Sequence, residues 1–391
     1  MSYPILQLHK GKEISLLRKH PWVFSGAIKS ATTALEEGEL VEVHSASGVC
    51  LGTGYFAKGS IAVRMLSFEA STIDVNFWFS KLRKAYEYRM QLGILNDQTN
   101  VCRLFFGEGD GAPGLIIDFY DGHLVIQAHS WGIFLQTEQI SQALQKLFGE
   151  SLKSIYNKSA ESLARQKSKE QDNAFLYGNC AELVVKENGH LFYVDFIKGQ
   201  KTGFFVDQRD NRQLLASYAK DRKVLNTFCY TGGFSVYAAK SGAIHVDSVD
   251  SSAGAIDLCK RNMALNGIVE ETSLAQDAFE FLKDKKQVYD LIVLDPPAFA
   301  KSRESKHKAV IAYKNLNSTA MKYIKPGGII FTFSCSGVVD KHLFYNTITA
   351  AAIEAGRNIR VLHYLNQPAD HPVSPFFPEG EYLKGMVLWV E

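Results

Sequence analysis

Short runs of alternating apolar and polar residues lie between Leu40 and Ser67, in LVEVHS, GVCLGTGYF and IAVRMLS, separated by glycine or small polar residues. Alternation at a period of two sends side chains to opposite faces of a strand, so these runs predict a small all-β barrel. The period then lengthens. Phe77, Phe79, Leu82, Tyr86 and Met90 recur at helical spacing, interleaved with Lys81, Arg83, Lys84 and Arg89, which predicts a basic amphipathic helix over residues 72 to 92. From 101 to 198, strand-like runs (VCRLFF, GLIIDFY, HLVIQAH, ELVVKE, HLFYVDF) mix with helical stretches near 133 to 148 and 159 to 169. That texture is α+β.

Beyond Gly203 the strands become continuously apolar: VLNTF from 224, VDSVD from 246, LIVLD from 291 and IIFTF from 329, with helical segments over 232–241, 252–266 and 307–324. Apolar strands alternating with helices predict a parallel, doubly wound sheet covered on both faces. The expected fold class is therefore α/β, in three parts: a barrel over 1–70, a middle α+β domain over 71–190, and a Rossmann-like domain over 191–391. A doubly wound sheet binds its ligand outside the carboxyl ends of the strands, at the switch in strand order.

Length agrees with several domains, since 391 residues exceed one ordinary core. The hydrophobic fraction of 46% and charged fraction of 21% exclude disordered and collagen-like chains. A net charge of +2 leaves any nucleic-acid affinity to local basic patches. The six cysteines, at 50, 102, 180, 229, 259 and 335, form no C-x-x-C pair, so neither a zinc site nor a disulfide framework is expected. No apolar signal core or membrane-length apolar window is present, and the expected location is cytoplasmic.

The strand ends carry the chemistry. Tyr230-Thr231-Gly232-Gly233 follows the first strand, Asp250 ends the second, and a weaker strand, TSLAQ, brings Asp277 into the same layer. Asp295-Pro296-Pro297 follows the fourth strand and Cys335 the fifth. The two glycines let backbone approach a ligand at a helix start, or else let helix and strand pack closely. They are not G-x-G-x-x-G, so a dinucleotide's phosphate cradle is missing. Asp250, 18 residues beyond Gly232, stands where a carboxylate grips ribose hydroxyls, or else caps the next helix. Ribose without pyrophosphate points to S-adenosylmethionine. A second glycine-rich run, GEGDGAPG at 107–114, leads into a strand and reads as a hairpin loop.

Two prolines after a buried strand stiffen the Asp295 loop, whose rim suits the edge of a planar base. Phe299 either stacks on that base or packs. Five basic side chains in KSRESKHKAV, among them Lys301 and Arg303, either track a phosphate backbone or line a solvated loop. Cys335 sits beyond the apolar strand, between hydroxyl residues, in the position of a reactive thiol, whereas Cys229 lies within an apolar turn and reads as packing.

Taken together, KGKEISLLRKHPWVFSGAI, KTGFFVDQRDNR, VLNTFCYTGGFS, DLIVLDPPAF, TFSCSG and ADHPVSPFFPEGEYLKG resemble the bacterial class I methyltransferases of the RlmI type, which form 5-methylcytosine in large-subunit (23S) ribosomal RNA. The blocks span nearly the whole chain. The resemblance implies an N-terminal PUA barrel, a middle α+β domain, a Rossmann-like S-adenosylmethionine methyltransferase domain and a homodimer. It places the cofactor against Tyr230, Thr231, Gly232, Gly233, Asp250, Asp277 and Asp295, with Gln208 and Arg209; the residues alone pair Arg209 equally well with Asp207 or Asp210. It places RNA on the barrel near Lys12, Arg18, Lys19 and Arg64, while the residue reading alone makes Pro296, Pro297, Phe299, Lys301 and Arg303 the candidate substrate contacts of the catalytic domain. Ala298 stands where the family frequently has lysine, and no second cysteine lies beside the fourth strand's prolines, so the base that removes the carbon 5 proton is unassigned.

Carbon 5 of cytosine is a weak nucleophile until a thiolate adds to carbon 6. Cys335 is the expected nucleophile and Asp295 its partner on the base edge, with Lys301 or Arg303 as the charge that favours the thiolate. Methylation of uracil carbon 5 or of an exocyclic nitrogen are the rivals within chemistry; a non-catalytic RNA-binding assembly factor is the rival outside it.

Overall fold

The computed structural model describes residues 3–164, 172–269, 271–283, 286–300 and 302–391. Contacts divide the chain into two bodies that do not follow sequence order. One holds Met1–Leu183, Val194–Val206 and Ala369–Gly380; the other holds Val184–Tyr193, Asp207–Pro368 and Glu381–Glu391.

In the first body three strands that the sequence reading did not single out, β1 (Ile5–Leu8), β2 (Trp22–Phe24) and β3 (Ile28–Ala31), precede the alternating runs, which fold as expected into β4 (Leu40–His44), β5 (Cys50–Phe56) and β6 (Ile61–Ser67). They form one sheet in the order β2-β6-β5-β4-β1-β3. Its inward face buries Leu6, Leu8, Val23, Val41, Val43, Val63 and Met65, and a short helix, α1 (Ile14–Leu17), precedes β2.

The predicted basic helix is α2 (Val75–Gln91), capped where the Asp74 carboxylate accepts the Phe77 N–H. Its buried stripe is Trp78, Leu82, Ala85 and Arg89, so the expected place of Met90 on the inner face is corrected: Met90 is exposed. Trp78, the largest apolar side chain available, fixes the rotation of the helix. Arg89 turns inward despite its charge because Asp110 takes it with two bonds of 2.6 and 2.7 Å.

A five-stranded sheet follows, built from β7 (Val101–Phe106), β8 (Leu115–Tyr120), β9 (His123–Ala128), β10 (Ser154–Asn157) and β11 (Ala174–Gly178), in the order β11-β10-β9-β8-β7. The glycine-rich run at 107–114 joins β7 to its antiparallel neighbour β8, the hairpin its context predicted. Helices α3 (Trp131–Phe134) and α4 (Thr137–Phe148) match the first helical stretch; α5 (Ala160–Leu163) begins the second, whose residues 165–171 lie outside the described residues.

The second body opens with the ribbon β12 (Leu183–Glu187) and β13 (His190–Val194) and with α6 (Arg209–Ala219). It continues as β14 (Lys223–Thr227), α7 (Gly233–Lys240), β15 (His245–Asp250), α8 (Ala253–Leu265), β16 (Thr272–Ala275), α9 (Ala278–Lys283) and β17 (Leu291–Leu294). Then come α10 (Lys306–Tyr323), β18 (Gly328–Ser334), α11 (Lys341–Ala355), β19 (Ile359–Asn366) and β20 (Lys384–Val390). The sheet order is β16-β15-β14-β17-β18-β20-β19, parallel from β16 to β18, with β20 antiparallel to both its neighbours. Strand order reverses between β14 and β17, which puts the switch point there. α10 begins at Lys306, one residue before the helix predicted over 307–324, so the second half of the basic run 301–310 is helical.

Candidate active site

The chain leaves β14 through a strained turn. Phe228 and Tyr230 have φ of 54° and 48°, in the left-handed region that costs a side-chain-bearing residue about 1–3 kcal/mol each. Three hydrogen bonds hold the turn: Cys229 N–H to the Val249 carbonyl, Tyr230 N–H to Asp250 Oδ2, and Asn262 Nδ2 to the Thr231 carbonyl. Gly232, with φ of 81°, lies so close to α8 that a Cβ there would stand 2.5 Å from Cys259 Sγ, and one on Gly233 would press on Arg212. The glycines therefore allow α7 to pack tightly.

Asp250 ends β15 half-buried and accepts the Tyr230 N–H at 3.0 Å and the Ser252 N–H at 2.9 Å. It ties the turns after β14 and β15 together, while Ser252 itself caps α8. Asp277 is exposed after β16 and accepts the Glu280 N–H at 3.0 Å. Asp295, at the end of β17, accepts a 3.0 Å hydrogen bond from Gln208 Nε2, whose own Oε1 is held by Asn211 Nδ2 at 2.6 Å. Carboxylates thus stand at the carboxyl ends of three parallel strands or just beyond them.

Arg209 opens α6 and is buried. Its Nε is 3.9 Å from Glu187, a fully buried carboxylate that Arg212 clamps at 2.8 and 2.7 Å and to which Tyr237 Oη donates at 2.9 Å. Asp207 accepts the Tyr382 hydroxyl at 2.6 Å. Glu187 and Tyr382 were missed in the sequence because their partners lie 25 and 175 residues away.

Cys335 is half-buried just past β18. Ser336 Oγ donates to the Ala300 carbonyl at 2.9 Å, which fastens the cysteine loop to the Asp295-Pro296-Pro297 loop. Tyr313 feels the charges of both Cys335 and Asp295, although burial is the main reason that its hydroxyl is pushed up to about 12. Cys229 is different. It is buried, and its hydrogen bond with Cys259 together with that burial pushes its thiol well above the ordinary value, so it is a poor nucleophile.

Pro296 is buried and Pro297 exposed. Phe299 packs its ring 4.7 Å from Tyr313 and 6.2 Å from Phe279 between centroids. Lys301 and the side chain of Arg303 lie outside the described residues. In the first body Lys12, Arg18 and Lys19 are exposed on and beside α1, with Lys19 Nζ 4.9 Å from the Phe68 ring centroid, and Arg64 is half-buried on β6. The residue pattern predicts no metal site; among the described residues one group, Glu42, His44 and Cys50, brings its ligand atoms within 4.8 Å of one another. Glu42 is hydrogen-bonded to His44 at 3.0 Å, and the other ring nitrogen of His44 to the Gly48 carbonyl.

Residues 102–385 match the model of the S-adenosylmethionine-dependent methyltransferase family, and residues 6–68 match a PUA-like domain. The chain belongs to this methyltransferase family. It is 40% identical to the ribosomal RNA large subunit methyltransferase I of Aeromonas hydrophila and 40% identical to that of Pseudoalteromonas atlantica, each alignment covering 98% of both chains. A methyltransferase crystallised with S-adenosylhomocysteine has the same fold at a TM-score of 0.85, with 23% identity and full coverage of both chains. A methyltransferase from Streptococcus mutans gives 0.84, again at 23% and over the whole of both chains.

The methyltransferase uses S-adenosylmethionine, and its strand ends fit that cofactor. The molecule presents ribose hydroxyls, an adenine amine and an ammonium, all donors, and this rim offers the acceptors Asp250, Asp277 and Asp295. Among the described residues no helix is long and apolar enough to cross a membrane.

Proposed function

We propose that this methyltransferase forms 5-methylcytosine in large-subunit (23S) ribosomal RNA, with Cys335 as the covalent nucleophile. One observation carries the reading: a half-buried thiol at the end of β18 is fastened through Ser336 to the loop that holds Asp295, while the competing Cys229 is buried and held protonated. The substrate follows the relatives named above, which share 98% of the chain length.

S-adenosylmethionine supplies the electrophilic methyl group. Its proposed contacts are Tyr230, Thr231, Gly232, Gly233, Asp250 and Asp277, with Gln208 acting by orienting Asp295, and Arg209 by bracing Glu187 beneath α7. The Cys335 thiolate adds to carbon 6 of cytosine, which makes carbon 5 enamine-like and nucleophilic. Asp295 accepts the exocyclic amine of the base and so aligns the ring. After methylation, loss of the carbon 5 proton and expulsion of the thiolate restore the aromatic ring. Pro296 and Pro297 keep the rim rigid; Lys301 and Arg303 remain candidate RNA contacts, and Phe299 supports the loop from its packed position.

In this reading residues 1–70, 71–190 and 191–391 serve as RNA-binding barrel, connecting domain and catalytic domain. Lys12, Arg18 and Lys19 contact RNA phosphates, the enzyme acts in the cytoplasm, and it works as a homodimer. The test is Cys335→Ala: methylation is lost and cofactor affinity by calorimetry is unchanged. RNA carrying 5-fluorocytosine traps wild-type protein, and the adduct maps to Cys335. Methylation that survives in Cys335→Ala, or 5-methyluracil as the product, overturns the proposal.

A further inference from the structure

A nucleophilic thiol at neutral pH needs a neighbouring positive charge or hydrogen-bond donor, because an ordinary cysteine ionises near pH 8.5. The loops that carry Cys335 and Asp295 gave the sequence only Lys301 and Arg303 for that purpose. The tertiary structure brings another cation from the far end of the chain. Lys384 begins β20, and in the antiparallel ladder its Cα partner is Ser334, the residue before Cys335. The lysine is buried, with 4% of its surface exposed.

Its ammonium is fixed in place. Nζ donates to the Ser336 carbonyl at 2.6 Å and to the Val339 carbonyl at 2.7 Å, so the side chain reaches past Cys335 and closes the turn that follows it. An ammonium has three N–H donors, and the two carbonyls engage two of them. We propose that Lys384 is a positioning residue that holds the Cys335 loop and supplies the positive charge that stabilises its thiolate.

Burying an ammonium is costly, so a lysine kept here must be compensated by acceptors or by an anion. Burial lowers the pKa of Lys384, and the negative charge of Cys335 is the first influence that works against it, ahead of those of Glu381 and Asp340, with Lys341 opposing. From α10 the buried Tyr313 feels the charges of both Cys335 and Asp295. Tyr313 is neutral at pH 7, so of the two described groups on which the Cys335 charge acts, Tyr313 and Lys384, the lysine is the cation. The inference rests on Cys335 being the reactive thiol.

The experiment compares the full-length wild type with Lys384→Met and Lys384→Arg. The rate at which iodoacetamide alkylates Cys335 is followed against pH by mass spectrometry, alongside the pH profile of methyl transfer to ribosomal RNA. The wild-type midpoint is expected below 8.5. In Lys384→Met it rises by about one unit and the methylation profile shifts the same way, so transfer at pH 7 falls about tenfold; Lys384→Arg restores the low midpoint. S-adenosylmethionine affinity, measured on each variant, reports that the domain is folded.

A wild-type midpoint at or above 8.5 overturns the proposal even if Lys384→Met does not fold, as does an unchanged midpoint in folded Lys384→Met. A shifted midpoint together with undiminished methylation by Cys335→Ala has a different meaning. Lys384 then tunes the thiol as proposed, and it is the covalent mechanism that fails.

Discussion

Asp250 shapes the strand ends, and in the proposed function the same side chain grips the cofactor's ribose. Its two oxygens each accept a backbone N–H, from Tyr230 and from Ser252, yet each carboxylate oxygen retains a further lone pair for a ribose hydroxyl. Asp250→Asn keeps the size and one acceptor while removing the charge. The expected loss of S-adenosylmethionine affinity is about 1.5–3 kcal/mol, the worth of a hydrogen bond to a charged group. Calorimetry at fixed salt measures it, and an unchanged dissociation constant takes Asp250 off the ribose.

Elements are joined by groups that are conspicuous only in three dimensions. Glu187 on β12 is fully buried and holds Arg212 of α6 and Tyr237 of α7, so it fastens the ribbon to the helices behind the turn that follows β14. Glu187→Ala leaves the buried Arg212 guanidinium uncompensated, an effect of about 3–5 kcal/mol. Thermal unfolding is expected to show a large drop in midpoint, and a wild-type midpoint would contradict this role. Asp290, just before β17, accepts hydrogen bonds from Lys223 N–H and Lys325 Nζ. Burial tends to raise its pKa, but those bonds and the charges of Lys325 and Arg222 hold it below the ordinary carboxylate value. A carboxyl depressed in the folded state gives stability that is complete above its unfolded pKa and is lost as pH falls through the folded one. Asp290→Asn is therefore expected to cost about 1 kcal/mol at pH 7. In urea titrations the difference from wild type should shrink as pH drops below about 4; a difference independent of pH would exclude the charge as its cause.

At the scale of the whole molecule, sequence order and contact order part company. Tyr55 and Leu66, on strands of the first sheet, belong to the core that also contains Trp78, Leu104 and Ile117. Tyr55 Oη also bonds the Pro113 carbonyl and Ser130 Oγ at 2.7 Å. Removing residues 1–70 would therefore open that core, and the RNA role of the barrel is better tested in the intact chain. Arg18→Glu with Lys19→Glu reverses two exposed charges. Ribosomal RNA affinity is expected to fall, with the slope of log affinity against log salt shallower by about 2, while cofactor affinity is unchanged. An unaltered slope would remove this surface from the RNA contact.

The sequence by itself determined the local periods and which residues follow each strand. Alternation named β4, β5 and β6, continuous apolar runs named β14, β17 and β18, and the positions of Asp250, Asp295 and Cys335 followed, because what comes directly after a parallel strand is local information. The edge strand β19 and its partner β20 escaped notice, since β19 is largely exposed and lacks a continuous apolar run. Met90 was misplaced because several apolar stripes fit a helix until packing selects one. Long-range pairing was invisible for a simpler reason: nothing local marks Glu187 for Arg212 or Lys384 for the loop after Cys335. Those contacts span 25 and 48 residues. Only the closed sheet, which lays β20 against β18, decided that an ammonium bonds the turn that follows the thiol.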